Sequence, residues 1–374
     1  MKLTLTELKT AVASYVSSNK ISVATYEVTR NNIVGLVDKI AKIFTIDTEY
    51  VDKLAIFDGE SFSFAKDIEE WQQDLILPAD YNASGDDALS PAYPTYRPPF
   101  YSKSLGRKYF KTSIPNNNIE RAVHFVEQFQ SIVSMQSKRL FDSEALWRYE
   151  QKREILAVMI GEIGTALSTT KTFTANTKYD VGEYLRSAST GTIAYGVVVK
   201  PIAVATALAN WAAAVSGGYV IVYDLVSEIA LPVDTSSAEA FIEQLKKDIE
   251  VASDVSEGHS LSGNTLGASG NLVLLVKQGV APALDVHALA GAFHMEKLSL
   301  PEAPMIVVKD FGSDNTGVFA MLVDSRSVRL HNSYRAVREN MNGSGDFLNL
   351  FLHTENTAHY SRNTFVKIYR PASE

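Results

Sequence analysis

The chain contains no cysteine, which removes disulfides, thiolate metal sites and cysteine nucleophiles together. A thiol-free chain suits a reducing cytoplasm and survives equally well outside a cell. It also lacks basic excess. Thirty-five Lys and Arg stand against 43 Asp and Glu, a formal net charge of −8, whereas a dedicated nucleic-acid binder carries a basic face that displaces counterions from phosphates. The imbalance is local: residues 1–90 hold 15 acidic and 8 basic side chains, and residues 325–374 hold 7 basic and 4 acidic. Long apolar runs are missing too. The N-terminus reaches Glu7 without a continuous apolar core, so no signal peptide is expected. The most apolar stretch, 193–231, is interrupted by Lys200, Pro201, Asn210, Asp224 and Glu228 and split by Gly217-Gly218. A membrane span needs about 20 largely apolar residues, so buried strands and helices are expected there, and no membrane partner.

Reactive motifs are scarce. None of the histidines, His124, His259, His287, His294, His331, His353 and His359, pairs at the i,i+4 spacing that sets two imidazoles on one helix face for zinc. His353 and His359 would share a strand face, but no carboxylate cluster accompanies them. Gly263, Gly267 and Gly270 make neither a dinucleotide fingerprint nor a phosphate loop. No metal or cofactor is expected. The pairs Asp58 with Glu60 and Glu69 with Glu70 read as solvated faces, since glycosidase carboxylates stand apart across a cleft. One segment, Gly258-His259-Ser260-Leu261-Ser262-Gly263, nearly spells the Gly-x-Ser-x-Gly nucleophile elbow. Ser262 replaces the second glycine, an acidic helix (Glu239–Asp254) precedes it where a strand belongs, and a glycine-rich, flexible loop (Glu257–Asn271) follows. A serine hydrolase using Ser260 is therefore a minor alternative, and no enzyme is expected.

What is present is a sequence of distinct segments, long enough for two compact units or for one unit with large excursions. Leu5, Leu8, Val12 and Tyr15, then Ile33, Leu36, Val37, Ile40 and Ile43, repeat at helical spacing. Residues 75–113 carry Pro78, Pro91, Pro94, Pro98 and Pro99 and read as a long loop, the kind that is functional or disordered. Within it, residues 91–111 hold Arg97, Lys103, Arg107, Lys108 and Lys111 with no acid, interleaved with Tyr93, Tyr96, Phe100, Tyr101, Tyr109 and Phe110. Such a mixture can stack bases and contact phosphates, or anchor on a protein partner. Asn117 and Glu120 predict the start of a long helix with Ile119, Val123, Val126, Phe129, Val133 and Leu140 on one face. Ser143 is expected to open a second helix through Leu156 and Ile163. A turn-rich boundary covers 168–192. Ser236 with Glu239 predicts a capping box, and Phe241, Leu245, Ile249 and Ala252 the buried face behind it, supported by the Glu243–Lys247 pair. The last hundred residues read as Leu272–Val276, a short helix Asp285–Phe293, and strands at Met305–Val308, Val318–Val323 and Asn363–Tyr369, rich in β-branched and aromatic types.

From Asn271 onward the order and residue types resemble the C-terminal half of a tailed-phage major capsid protein, most like the small podoviruses of the phi-29 type. The resemblance runs from Asn271–Val276 into Leu284–Met295, through Val307–Phe311 into Val318–Asp324, and on to Phe347–Val366 with Arg362 near the family's usual basic position. It implies an α+β, Hong Kong 97-like phage capsid fold. The expected parts are an N-terminal arm (1–57), an extended loop region (58–112), a peripheral domain with its spine helix (113–172 and 326–374) and an axial domain (173–325). Residues 168–232 depart from the phi-29 pattern in length and apolar content. The resemblance further implies a shell subunit, found in the virion and assembled in the host bacterial cytoplasm. Its partners would be copies of itself as pentamers and hexamers, packaged double-stranded DNA held weakly and without sequence preference, a portal and a scaffolding protein. Tyr96, Arg97, Tyr101, Lys103, Arg107, Lys108 and Lys111 are the expected inter-subunit contacts. An encapsulin-type compartment shell, built on the same fold, is the nearest alternative.

Overall fold

The structure is a computed structural model. It describes residues 50–62, 68–70, 100–101, 103–115, 126–206, 208–265, 267–268, 270–284, 303–312 and 317–372. In chain order the elements are β1 (Glu69–Glu70), β2 (Phe100–Tyr101), β3 (Lys103–Pro115), α1 (Val126–Ala166), β4 (Tyr184–Arg186), β5 (Tyr195–Val198), α2 (Trp211–Ser216), β6 (Val220–Val222), β7 (Val226–Glu228) and α3 (Thr235–Ser253). Then follow β8 (Ser256–Ser260), β9 (Gly263–Thr265), β10 (Leu272–Lys277), β11 (Met305–Val308), β12 (Ala320–Asp324), β13 (Val328–Asn342), β14 (Phe347–Tyr360) and β15 (Val366–Arg370). They divide into two compact units, one drawn from Met1–Lys66, Ser104–Gln151 and Leu330–Ala358, the other from Asp67–Lys103, Lys152–Arg329 and His359–Glu374.

The first unit is built on a three-stranded sheet in the order β13-β14-β3. The long β13–β14 hairpin turns because the Asn342 side-chain oxygen accepts from the backbone N–H of Ser344 and Gly345, both at 2.9 Å, the local bond that makes asparagine a turn former. In the middle of β14, buried Leu350 and Leu352 alternate with half-buried Phe351 and His353, the period-two pattern of a sheet covered on one face. Helix α1 provides cover there: Trp147 meets Phe110 edge-on at 6.3 Å, and Phe141 lies 5.0 Å under the Arg335 guanidinium. Glu144, almost fully buried, accepts two hydrogen bonds from Arg335 at 2.6 and 2.9 Å.

The second unit centres on a five-stranded mixed sheet, β11-β10-β12-β15-β7. Strand β10 runs parallel to β11 and antiparallel to β12, with Leu274 opposite both Met305 and Leu322. Leu272–Val276 and all of β12 are buried without alternation, the sign of a sheet covered on both faces. On one of them α3 sets Ala238, Phe241, Leu245, Ile249 and Ala252 against Leu272, Leu274, Val276, Leu322 and Tyr369. The Phe241 ring lies 5.4 Å from Phe319 and 5.2 Å from Tyr369. A smaller sheet, β4-β5-β6, packs Leu185, Val198 and Val220 against Ala214 of α2, so the apolar 193–231 stretch is buried strands and a helix. No helix among the described residues is long and apolar enough to cross a membrane.

Several expectations are corrected. Helix α1 runs unbroken through Ser143, whose hydroxyl donates to the Arg139 carbonyl one turn back at 2.6 Å instead of capping a new helix. The cap of α3 is Asp234, which accepts from the Ser237 N–H at 2.8 Å while the Ser237 hydroxyl accepts from the Asp234 N–H. Ser236 and Glu239 fall inside the helix; the Glu243–Lys247 pair forms as expected, at 2.7 Å. The supposed flexible loop at 257–271 contains the β8–β9 hairpin. Gly258 has φ +80 there, and a Cβ would sit 2.3 Å from the Val222 carbonyl oxygen, so the glycine serves close strand approach. Residues 103–113, the end of the segment read as a long loop, form most of strand β3 (Lys103–Pro115). The helical repeats of the arm, the Asn117–Glu120 cap and the Asp285–Phe293 helix lie outside the described residues, although a helix begins at Val280.

Candidate functional site

Strand β3 carries most of the described part of the basic-aromatic stretch, and its pleat sorts those residues. Arg107, Tyr109 and Lys111 share one face. The Arg107 Nε donates to Glu355 Oε2 at 3.2 Å, and its guanidinium lies 4.3 Å over the Tyr334 ring. The Lys111 ammonium stands 5.6 Å over Phe351, and Tyr109 meets Phe351 at 5.8 Å and His353 at 5.9 Å. Tyr109 is nonetheless 62% exposed. Lys108 is exposed at a position of opposite parity, next to Phe110, which turns to Trp147. Lys103 and Tyr101 fall on β3 and β2; Tyr96 and Arg97 lie outside the described residues.

The fold thus gathers Arg107 and Lys111 with Tyr334, Phe351 and Glu355, which the sequence reading did not single out, and with His353, which it weighed only as a metal ligand. The available signal was the alternation of Leu348, Leu350 and Leu352 with Phe351 and His353. Exposed ion pairs and cation–π contacts are worth roughly 0.2–1 kcal/mol each. Lys111 and Tyr109 can exchange their contacts for a partner's at little cost, whereas Arg107 is held by Glu355, whose side chain is buried; Tyr and Arg are the anchor types of protein interfaces.

The second unit holds three paired carboxylates: Glu162 and Glu70 are largely shielded from solvent, whereas the Asp224 side chain is 59% exposed. Glu162 of α1 pairs with Arg362 and accepts from Tyr360 and, at 3.0 Å, from Tyr184. Burial, reinforced by the Glu162 charge and hydrogen bond, pushes both tyrosine hydroxyls well above the usual phenol range. Asp224 is held well below the usual carboxylate range by hydrogen bonds from His259 and the buried Lys367, whose charges add to the effect and outweigh desolvation. Glu70 is bound by His359, Ser361 and Asn363. The sequence reading had placed Glu70 on a solvated face; only Glu69 is exposed.

Ser260 is not presented as a nucleophile. It is fully buried on β8, with its hydroxyl donating to the Asn264 carbonyl at 3.2 Å. The adjacent His259 ring stacks on Phe365 at 5.2 Å, places Nδ1 on the Glu257 carbonyl at 2.8 Å and turns Nε2 to Asp224 at 3.2 Å. Both imidazole nitrogens are engaged elsewhere, so nothing here relays a proton from Ser260. Among the described residues no group of three or more His, Asp or Glu side chains is disposed to hold a metal.

The family model of the Phi29-like phage major capsid protein matches residues 3–192 and 239–366. The chain belongs to that family. No curated protein matches the sequence of this capsid protein. Among solved structures it is similar to a chain from the capsid structure of Staphylococcus phage Andhra, at 12% identity and a TM-score of 0.54, covering 88% of this chain and 86% of that one. A chain from the capsid of the cyanophage P-SCSP1u aligns over 85% and 87% at 7% identity, with a TM-score of 0.47. The capsid protein has an α+β, Hong Kong 97-like fold. The family match omits 193–238, which hold β5, α2, β6 and β7 and cover most of the segment that departs from the phi-29 pattern. As a phage major capsid protein it is a structural component of the virion.

Proposed function

We propose that the capsid protein assembles with copies of itself, as pentamers and hexamers, into the icosahedral head shell of a tailed bacteriophage that encloses double-stranded DNA. The family match over residues 3–192 and 239–366 carries this reading. In it, assembly takes place in the host bacterial cytoplasm with a scaffolding protein, one vertex receives a portal, and DNA is held weakly, as suits a net charge of −8. The segments 1–57, 58–112, 113–172 with 326–374, and 173–325 serve as arm, extended loop, peripheral domain and axial domain. Tyr96, Arg97, Tyr101, Lys103, Arg107, Lys108 and Lys111 contact the neighbouring subunit. Support comes from the half-open β3–β14 face, where Tyr109 stays exposed between two cations. Each contact is modest, and multivalency holds the shell, because several neighbours bind every subunit at once.

Electron microscopy of the purified protein tests the assembly, with closed particles expected. Replacing Arg97, Lys103, Arg107, Lys108 and Lys111 with Glu is expected to leave folded subunits that form no particles. Normal particles from that variant would overturn the contact assignment. Protein cargo in place of DNA inside particles from infected cells would favour a compartment.

A further inference from the structure

We infer that the segment His359–Asn363 is the anchoring site for the root of the excursion between β1 and β2, with Glu70 as the positioning residue that docks into it. The inference rests on the assembly reading in one respect: the excursion, residues 71–99, falls within the proposed extended loop.

Strands β1 and β2 pair antiparallel, Glu69 opposite Tyr101 and Glu70 opposite Phe100. The chain therefore leaves at Glu70 and returns at Phe100. A two-stranded ladder of two residues per strand is marginal alone, so something else must hold it. Glu70 supplies that hold. Its Oε1 accepts from the Ser361 hydroxyl at 2.6 Å and from the Asn363 amide at 2.7 Å, and its Oε2 lies 3.2 Å from His359 Nε2. The Glu70 side chain is 19% exposed and that of His359 10%, so the pair is shielded from the solvent that weakens surface ion pairs.

The receiving segment is itself fixed at every step. The Ser361 N–H donates to the Ser327 carbonyl at 2.7 Å, the Arg362 carbonyl accepts from the Ser262 N–H at 3.0 Å, and the Asn363 N–H donates to the Ser361 hydroxyl at 3.1 Å. Tyr360 and Arg362 bind Glu162 of α1. Five consecutive residues thus tie two carboxylates from distant parts of the sequence, which is why Glu70 cannot turn outward like Glu69 without abandoning three donors. The neighbouring charges, Arg362 and Glu162, pair with each other. Burial raises the Glu70 pKa, but the hydrogen bonds from His359, Ser361 and Asn363, with the His359 charge, outweigh it and leave the carboxyl below its ordinary value. The anchor is thus in place at neutral pH and weakens only as pH falls below the ordinary carboxylate range.

Hydrogen exchange on unassembled full-length subunits, followed peptide by peptide by mass spectrometry, tests this with Glu70→Ala, Glu70→Gln and the double variant Ser361→Ala with Asn363→Ala. Exchange over 68–70 and 100–101 is expected to rise about tenfold in Glu70→Ala and in the double variant, while β10 and β12 keep their protection. Glu70→Gln, which keeps an acceptor oxygen, should recover part of the loss. Corrected for intrinsic rates, wild-type exchange there should stay level from pH 7 down to the ordinary carboxylate range and rise as pH falls below it, and Glu70→Gln should not follow that rise. Unchanged exchange in both Glu70→Ala and the double variant overturns the anchor, and so does protection lost equally from β10 and β12. Particle counts in parallel should fall in Glu70→Ala. Absence of particles from the wild type would sink the assembly reading alone, leaving the exchange result to judge the anchor.

Discussion

Strand β10 buries every residue from Leu272 to Val276, while the middle of β14 buries Leu350 and Leu352 and leaves Phe351 and His353 half in solvent. Both are interior strands of their sheets. The difference lies in what covers them. The five-stranded sheet is closed over by α3 and carries no alternation, so it specifies a core and offers little for another molecule to read. The three-stranded sheet keeps one face half open, with Arg107, Tyr109 and Lys111 spread over Phe351, His353 and Glu355. The proposed assembly uses both kinds of surface: the closed sheet to make the fold, and the half-open face to bind other copies weakly and often.

Substitutions in the closed sheet should unfold the subunit, and substitutions on the open face should spare the fold and affect assembly. The largest effect is expected from Phe241→Ala, which empties a fully buried site between Phe319 and Tyr369. Urea unfolding of the subunit should show a loss of about 3–5 kcal/mol. Tyr369→Phe removes the hydroxyl that donates to buried Asp248 at 2.7 Å and should cost about 1–3 kcal/mol by the same measurement, because a desolvated carboxylate oxygen loses its donor.

Asp224→Asn should cost about 1 kcal/mol at neutral pH, modest because the aspartate is partly solvated although its partner Lys367 is buried. Its clearer signature is the pH profile. A carboxyl held below its ordinary value contributes stability that is complete above about pH 4 and is lost as pH falls further, so wild-type stability should drop on that acid limb and the variant's should drop less. Parallel profiles would show that the pair contributes nothing. Smallest in stability is the joint change Lys108→Glu with Tyr109→Ser, expected to shift unfolding by no more than about 0.5 kcal/mol while particle yield under the microscope falls. A large unfolding shift from this pair would erase the distinction between the two sheets.

The elements that a local pattern can encode were legible. The β-branched and aromatic run Met305–Val308 is strand β11, and the helical repeat Phe241, Leu245, Ile249 and Ala252 is the buried face of α3. Strand β13 was not anticipated. Its residues 331–334 and 336–337 are half-buried and Arg335 and Arg338–Asn340 exposed, so it carries no clean alternation; its pairing with β14 makes it a strand. Ser143 misled for a similar reason: a serine that bonds back to the preceding turn reads the same in sequence as one that caps a helix. At the candidate site, charge and aromatic content flagged Arg107 and Lys111, but their partners Glu355 and Phe351 lie more than two hundred residues away in the chain. No spacing rule reaches that far.

Composition, apolar periodicity and segment order were enough to determine the fold class, the family resemblance, the absence of thiol chemistry and the places where most of the core would be found, because these follow from burial patterns that repeat every two or nearly four residues. Tertiary structure alone decided which acids face water. Glu69 and Glu70 are chemically identical neighbours, yet the pleat turns one into solvent and the other onto His359, Ser361 and Asn363, since only the folded chain brings those donors within hydrogen-bonding distance.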